Sequence, residues 1–258
     1  MRNILVIAGR ELRTYFVSPI AYVVLTIFTF LSGLLFYLLL QAMIENTTTR
    51  AMRAAQTGQP PPPFDMPGWI TQNTLSSISF ILLFILPMLT MALFSEEKKR
   101  GTIELLLTAP ITDLQVVLGK FLGASVFYIA LLATTLVEIG ILCFYSTPAW
   151  GPILSAYLGV LLYGLALLAI GMFISTLTEN QIIAAILSFG VVLLLWLIDA
   201  FSRNAGPDSV LSHLSILKPL NDFVTGVIST AHIVFYLSLM LVGLFLTYRS
   251  LDSLRWRG

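Results

Sequence analysis

Few residues in this chain have the type and setting to do chemistry, and one stretch carries most of them. Residues Ser95 to Val117 read SEEKKRGTIELLLTAPITDLQVV. Glu96, Glu97, Lys98, Lys99 and Arg100 form a charge cluster, and Gly101 follows. Thr102 to Ala109, with Glu104 and Leu105 at its heart, has the look of a short apolar-rich helix. Pro110 stops it, because proline lacks the amide donor and clashes with the preceding turn. Thr112 and Gln115 then have the spacing of a capping box, which starts the next helix. The basic residues alone could do no more than set membrane topology. Two glutamates, a glycine and a short helix exceed that need. A stiff knob rooted in two spans can transmit force from a soluble partner.

Glu138 is the one ionisable residue well inside a long apolar run. Intramembrane carboxylates face a bundle interior or a watery cavity and mark functional sites; otherwise such a group is neutral or hydrogen-bonded and fixes packing. Asp199 is expected at the outer end of its span, reaching water. His213 and His232 have no cysteine near them and no metal-site spacing, so both read as surface histidines. With no histidine in a span, an intramembrane hydrolase lacks its base. Met88 and Met91 could hold soft copper, but no third soft ligand is near, so they read as packing. Cys143 alone builds neither a disulfide nor a thiolate metal site within the chain. Gly119-Lys120 lacks the earlier glycine and the following Ser or Thr of a phosphate-binding loop. No catalytic residue, metal site or bound cofactor is therefore expected on this chain.

The elements that position these residues follow from composition. Of 258 residues 57 % are apolar and 10 % charged. Soluble domains carry roughly 25 % charged residues, so a bilayer must solvate the excess apolar surface. A net charge of +1 gives no reason to expect a nucleic-acid partner. A span needs about 20 mostly apolar residues. Six runs qualify, at about 19–44, 75–94, 118–145, 153–177, 182–201 and 233–248. The fold class is thus all-α, a polytopic membrane protein, with residues 1–258 as one membrane domain. Ser18 and Pro19 read as N-cap and first helical residue of span one. Thr178 and Gln181 read as a second capping box, with Glu179 in the first turn of span five. Arg10, Glu11 and Arg13 interrupt the N-terminus, so no cleaved signal peptide is expected there.

With six spans both termini share a side. That side holds Arg2, Arg10, Arg13, Lys98, Lys99, Arg100, Lys120, Arg249, Arg255 and Arg257; the other holds Arg50, Arg53, Arg203 and Lys218. The bias places both termini in the cytoplasm. Residues 2–17 plot as an interfacial helix. Ile4, Leu5, Ala8, Leu12, Tyr15 and Phe16 share an apolar face, while Val6, Ile7 and Glu11 fit it imperfectly. Residues 45–74 are polar, and Pro60 to Pro63 favour an extended segment. Residues 202–232 read as one or two short helices at the outer surface.

Glu97 to Ile111, EKKRGTIELLLTAPI, closely resembles the loop between the second and third spans of type-2 ABC transporter permeases. The basic helix before Ser18-Pro19 is similar to their opening. Leu217 to Ile228, LKPLNDFVTGVI, resembles the region before span six in the gliding-motility and nitrous-oxide-reductase-maturation branch. The resemblance implies six helices, an amphipathic N-terminal interface helix, and short re-entrant outer helices. It also implies that residues about 96–110 form a coupling helix that docks on a separate ABC ATPase, where ATP and Mg would bind. Glu96, Glu97, Arg100, Gly101, Thr102, Glu104 and Leu105 would be the coupling positions, with Gly101 making the turn and Glu104 facing the partner. Two such ATPases and a second permease, identical or not, would complete an exporter in the inner (plasma) membrane, in contact with its lipids. The chain departs from members with a large outer domain between spans one and two. Two other readings stand beside this one: a secondary transporter or channel using Glu138 as ion or proton site, and a non-transporting membrane scaffold for assembly or motility.

Overall fold

A computed structural model describes residues 2–58, 64–102, 111–205 and 215–255. Ten helices follow one another among these residues. They are α1 (Arg2–Val17), α2 (Pro19–Thr57), α3 (Met66–Thr90), α4 (Ala92–Lys99), α5 (Asp113–Thr134), α6 (Leu136–Tyr145), α7 (Trp150–Ser175), α8 (Gln181–Ala205), α9 (Leu217–Val224) and α10 (Thr230–Arg255). Six stretches are long and apolar enough to cross a membrane: α2, α3 with α4, α5 with α6, α7, α8 and α10. The chain is an all-α polytopic membrane protein, as its composition requires.

Caps set several helix starts. Ser18 Oγ accepts from the Ile20 amide, with Pro19 opening α2, and Asp65 accepts from the Gly68 amide at the start of α3. Thr112 and Gln115 exchange both bonds of the expected capping box. The second expected box is absent. Thr178 Oγ1 accepts from the Asn180 amide instead, and Asn180 Oδ1 accepts from Ile182. Asn180 therefore caps α8, and Glu179 lies before the helix. Asparagine is as good an N-cap as threonine and stands next to the first helical residue, which leaves Thr178 outside the helical turn.

Helix α7 is the centre of the bundle and packs against α3, α5, α8, α9 and α10. Its glycines allow this. A Cβ at Gly159, Gly164 or Gly171 would come within 2.4 Å of Phe223, Tyr128 or Thr90 respectively. Tyr128, Tyr163 and Tyr236 are buried there, and their hydroxyls donate to the carbonyls of Val160, Ser79 and Ile216. Ala184 and Ser188 of α8 are fully buried, in keeping with a small-residue contact.

Two boundaries move. Residues 45–57 continue α2 as helix beyond the end expected near 44. Their polar side chains bond back to the helix itself, as Asn46 does to Ala42 O and Thr57 to Arg53 O. Pro60 to Pro63 lie outside the described residues. Span two starts at Met66, because Asp65 caps it and Pro67 suits a first turn. At the far end α9 is one short helix, with Pro219, Leu220, Phe223 and Val224 buried against the bundle. Asp199 does not reach water. It is buried and accepts from Ser215 Oγ at 2.7 Å, which ties α8 to the start of α9. His232 is half-buried, with Nε2 3.4 Å from Asp222 Oδ2; His213 lies outside the described residues.

Candidate functional site

One end of the bundle gathers α1, α4, the start of α5 and the ends of α7 and α10. Lys98 Nζ donates to Thr176 O, and Thr176 Oγ1 meets Ser250 Oγ at 2.8 Å. The described beginning and end of the chain are therefore on the same end, together with the charge cluster. This is the arrangement that an even number of spans demands.

Helix α1 packs lengthwise on α5. A Cβ at Gly119 or Gly123 would sit 2.7 Å from side-chain atoms of Ile7 or Glu11. These two glycines, four residues apart, form a trough on one helix face. The trough selects the face that α1 turns inward. Ile7 and Glu11 are buried, whereas Leu5 is 68 % and Val6 65 % exposed. The expected apolar face is thus partly wrong: the contact follows the glycine trough rather than the highest hydrophobicity. Leu5, Val6 and Phe16 remain outside, where acyl chains can cover them.

Glu11 is carried inward to meet Lys120, which is 1 % exposed. Lys120 Nζ lies 2.7 Å from Glu11 Oε1, 3.0 Å from Glu97 Oε1 and 2.7 Å from Leu93 O. Nζ donates to Glu11 Oε1 and to Leu93 O, and Glu97 stands at ion-pair distance. Nζ also stands 5.1 Å above the Phe94 ring, a cation–π distance. Arg10 adds a second cation from the rim, 3.3 Å from Glu97 and 3.5 Å from Glu11. Helices α1, α4 and α5 thus meet at one ion cluster. A buried cluster of this kind is costly to assemble, and each member depends on the others.

Beside the cluster, span two has a joint. Pro87 interrupts the ladder, α3 ends at Thr90, and α4 begins at Ala92. The amides of Phe94 and Ser95 donate to Ser175 Oγ of α7 at 3.0 and 3.1 Å, and Ser175 donates to Met91 O at 3.0 Å. Tyr15 of α1 donates to Leu89 O at 3.1 Å. Burial, then the nearby Glu11 carboxylate, holds the Tyr15 phenol well above its ordinary value, so it acts as a donor. Carbonyls 89, 91 and 93 accept from α1, α7 and α5 in turn. Any movement of α4 must carry or break these bonds.

The expected coupling residues divide in two. Glu97 faces inward to Lys120, and its Oε2 is buried with no hydrogen-bond partner among the described residues. Glu96 and Arg100 face outward and pair with each other, four residues apart. Gly101 has φ +68°, a left-handed value that side chains disfavour, and it turns the chain out of α4. Thr102 Oγ1 donates to Glu97 O at 3.3 Å. Arg10, Glu96, Arg100, Thr102 and Ile111 border a cleft of about 670 Å³. Glu104 and Leu105, with the short helix expected at Thr102–Ala109 and its stop at Pro110, fall in 103–110, outside the described residues.

Lys120, Glu11, the glycine trough and Ser175 are neighbours of the candidate site that sequence reasoning did not pick out. A signal existed for two of them. Glu11 broke the apolar face of α1, and Lys120 stood within the apolar run of span three. Glu138, the remaining expected site residue, is far from this end. It is buried on α6 beside Ser32 of α2. No group of three metal-ligating residues occurs among the described residues.

A family model described as "ABC-2 family transporter protein" matches residues 5–250. Two curated relatives, each named "Probable multidrug ABC transporter permease YbhR", come from Escherichia coli strain K12 and Escherichia coli O157:H7. Each is 30 % identical over 120 residues, which is 46 % of this chain and 31 % of the relative. The matched region is thus under a third of the length of those relatives.

Proposed function

The chain belongs to the ABC-2 family of transporter proteins, and on that premise we propose that it is the membrane subunit of an ATP-driven exporter. ATP and Mg bind a separate ABC ATPase, present in two copies. A second permease subunit, identical or related, completes the path. The complex sits in the inner membrane with both termini of this chain in the cytoplasm.

The ion cluster is the observation that carries this reading. Segment 96–102 is not a loose linker: through Glu97 it is fixed to α5 and α1. Through Ser175 its root is fixed to α7. A push on Glu96, Arg100 or Thr102, which lie toward the outside, is therefore passed to three helices at once. ATP binding draws the two ATPases together and displaces this segment. The bundle changes arrangement only if its two states differ in these contacts, and the cluster is a set of contacts that can differ.

Gly101→Val and Glu104→Ala in the full complex test the reading. Substrate-stimulated ATP hydrolysis is expected to be lost, with expression and membrane insertion unchanged. Normal stimulation in both variants contradicts it.

A further inference from the structure

Glu138 is buried (6 % exposed), and its Oε2 has no hydrogen-bond partner among the described residues. Ser32, fully buried on α2, lies beside the carboxyl on one side, its hydroxyl donating to Thr29 O at 3.2 Å. On the other side Glu138 lines a groove of about 350 Å³. Gly33, Phe36 and Tyr37 of α2 form one wall; Thr134, Val137 and Ile141 form the other. The walls are apolar, and the groove opens sideways: Val137 is 66 % exposed and Tyr37 54 %. A Cβ on Gly33 would meet nothing within 4 Å, so the space beside it is free.

Among the described residues no cation is paired with this carboxylate. Arg50 and Arg53 of α2 lie seventeen and twenty residues beyond Gly33, about 25 Å or more along that helix. Lys120, the only Lys or Arg on α5 and α6, is engaged with Glu11 and Glu97. It also stands eighteen residues before Glu138, about 27 Å away along a helix at 1.5 Å per residue. A second copy of the chain would bring no cation to this depth either. A carboxylate facing an apolar groove attracts an organic cation with an apolar body. Glu138 precedes the end of α6 at Tyr145 by seven residues, which is about 10 Å. At that depth an ethanolamine lipid would have to bury its phosphate with no basic residue beside it, at high cost.

We propose that the groove between α2 and α6 is a binding site for lipophilic monocations without an anionic group, entered from the bilayer, with the cationic centre at Glu138 and the apolar body along Phe36, Tyr37 and Val137. A volume of this size suits a small drug-like molecule. The site depends on the groove alone and not on an ATPase, so its failure would leave the exporter reading untouched.

The test uses the purified full chain in phosphatidylcholine nanodiscs. The probe is a fluorescent styrylpyridinium monocation, compared with the uncharged stilbene of the same size. Glu138→Gln keeps shape and hydrogen bonding and removes the charge. It is expected to weaken the cation by at least about tenfold and leave the stilbene unchanged, which also shows that the groove is folded. Gly33→Leu fills the groove and is expected to weaken both. Equal binding of the cation to wild type and Glu138→Gln, or displacement of the probe by phosphatidylethanolamine, overturns the proposal.

Discussion

Lys120→Met removes the ammonium and keeps much of the side-chain volume. Glu11 Oε1 and Glu97 Oε1 both touch Nζ, at 2.7 and 3.0 Å, so they are at most about 5.7 Å apart. At an effective dielectric near 20, two unit charges at that distance repel by about 3 kcal/mol. Arg10, 3.3 Å from Glu97 and 3.5 Å from Glu11 at the exposed rim, offsets part of this repulsion. Separation of α1 from α5 relieves it, because Glu11 leaves with α1. Amides of α1 should exchange hydrogen about tenfold to a hundredfold faster in the variant. Glu11→Gln/Glu97→Gln/Lys120→Met removes the three inner charges, leaves Arg10 at the exposed rim, and should restore most of the protection, since a neutral replacement of a buried ion cluster is often tolerated. Unchanged α1 exchange in Lys120→Met, or a triple variant as weak as the single one, refutes the reasoning.

Gly119→Leu or Gly123→Leu should push α1 off α5, because the first added carbon alone would sit 2.7 Å from Ile7 or Glu11. Overpacking of this kind costs about 1–3 kcal/mol, and a cysteine placed at Ile7 should become reactive to a thiol reagent only in these variants. Ser175→Ala leaves the amides of Phe94 and Ser95 without their acceptor. Buried donors left unpaired cost about 1–3 kcal/mol, so thermal stability in detergent should fall, while Ser175→Thr, which keeps the hydroxyl, should lose less. Gly101→Ala should cost about 1–2 kcal/mol locally from the left-handed backbone at φ +68°; the check is faster amide exchange at residues 98–102 with the rest of the bundle unchanged.

The membrane class and six spans were legible in the sequence because each is a local property of some twenty consecutive residues. The Ser18-Pro19 start and the Thr112–Gln115 box were legible for the same reason, since a cap involves residues two or three apart. Helix ends were not, where hydropathy and hydrogen bonding part company. Residues 45–57 are polar yet continue the ladder of α2. The core of the site was hidden for a different cause. Glu11 and Lys120 are 109 positions apart, and Ser175 is 80 from Ser95. Nothing in one sequence pairs them until α1 is laid in the Gly119–Gly123 trough. Asp199 was misjudged similarly: its place at a span end suggested water, but Ser215 closes over it.

The central claim is that the segment beginning at Glu96 receives work from another polypeptide on the side where both termini lie. A photo-crosslinking residue at Lys99, an exposed position on α4, tests it most directly in cells that make the whole complex. The account predicts a covalent product with a soluble ABC ATPase whose yield changes with nucleotide. A contradicting result would be no such product, together with labelling of a Lys99→Cys variant by an impermeant thiol reagent added outside intact cells.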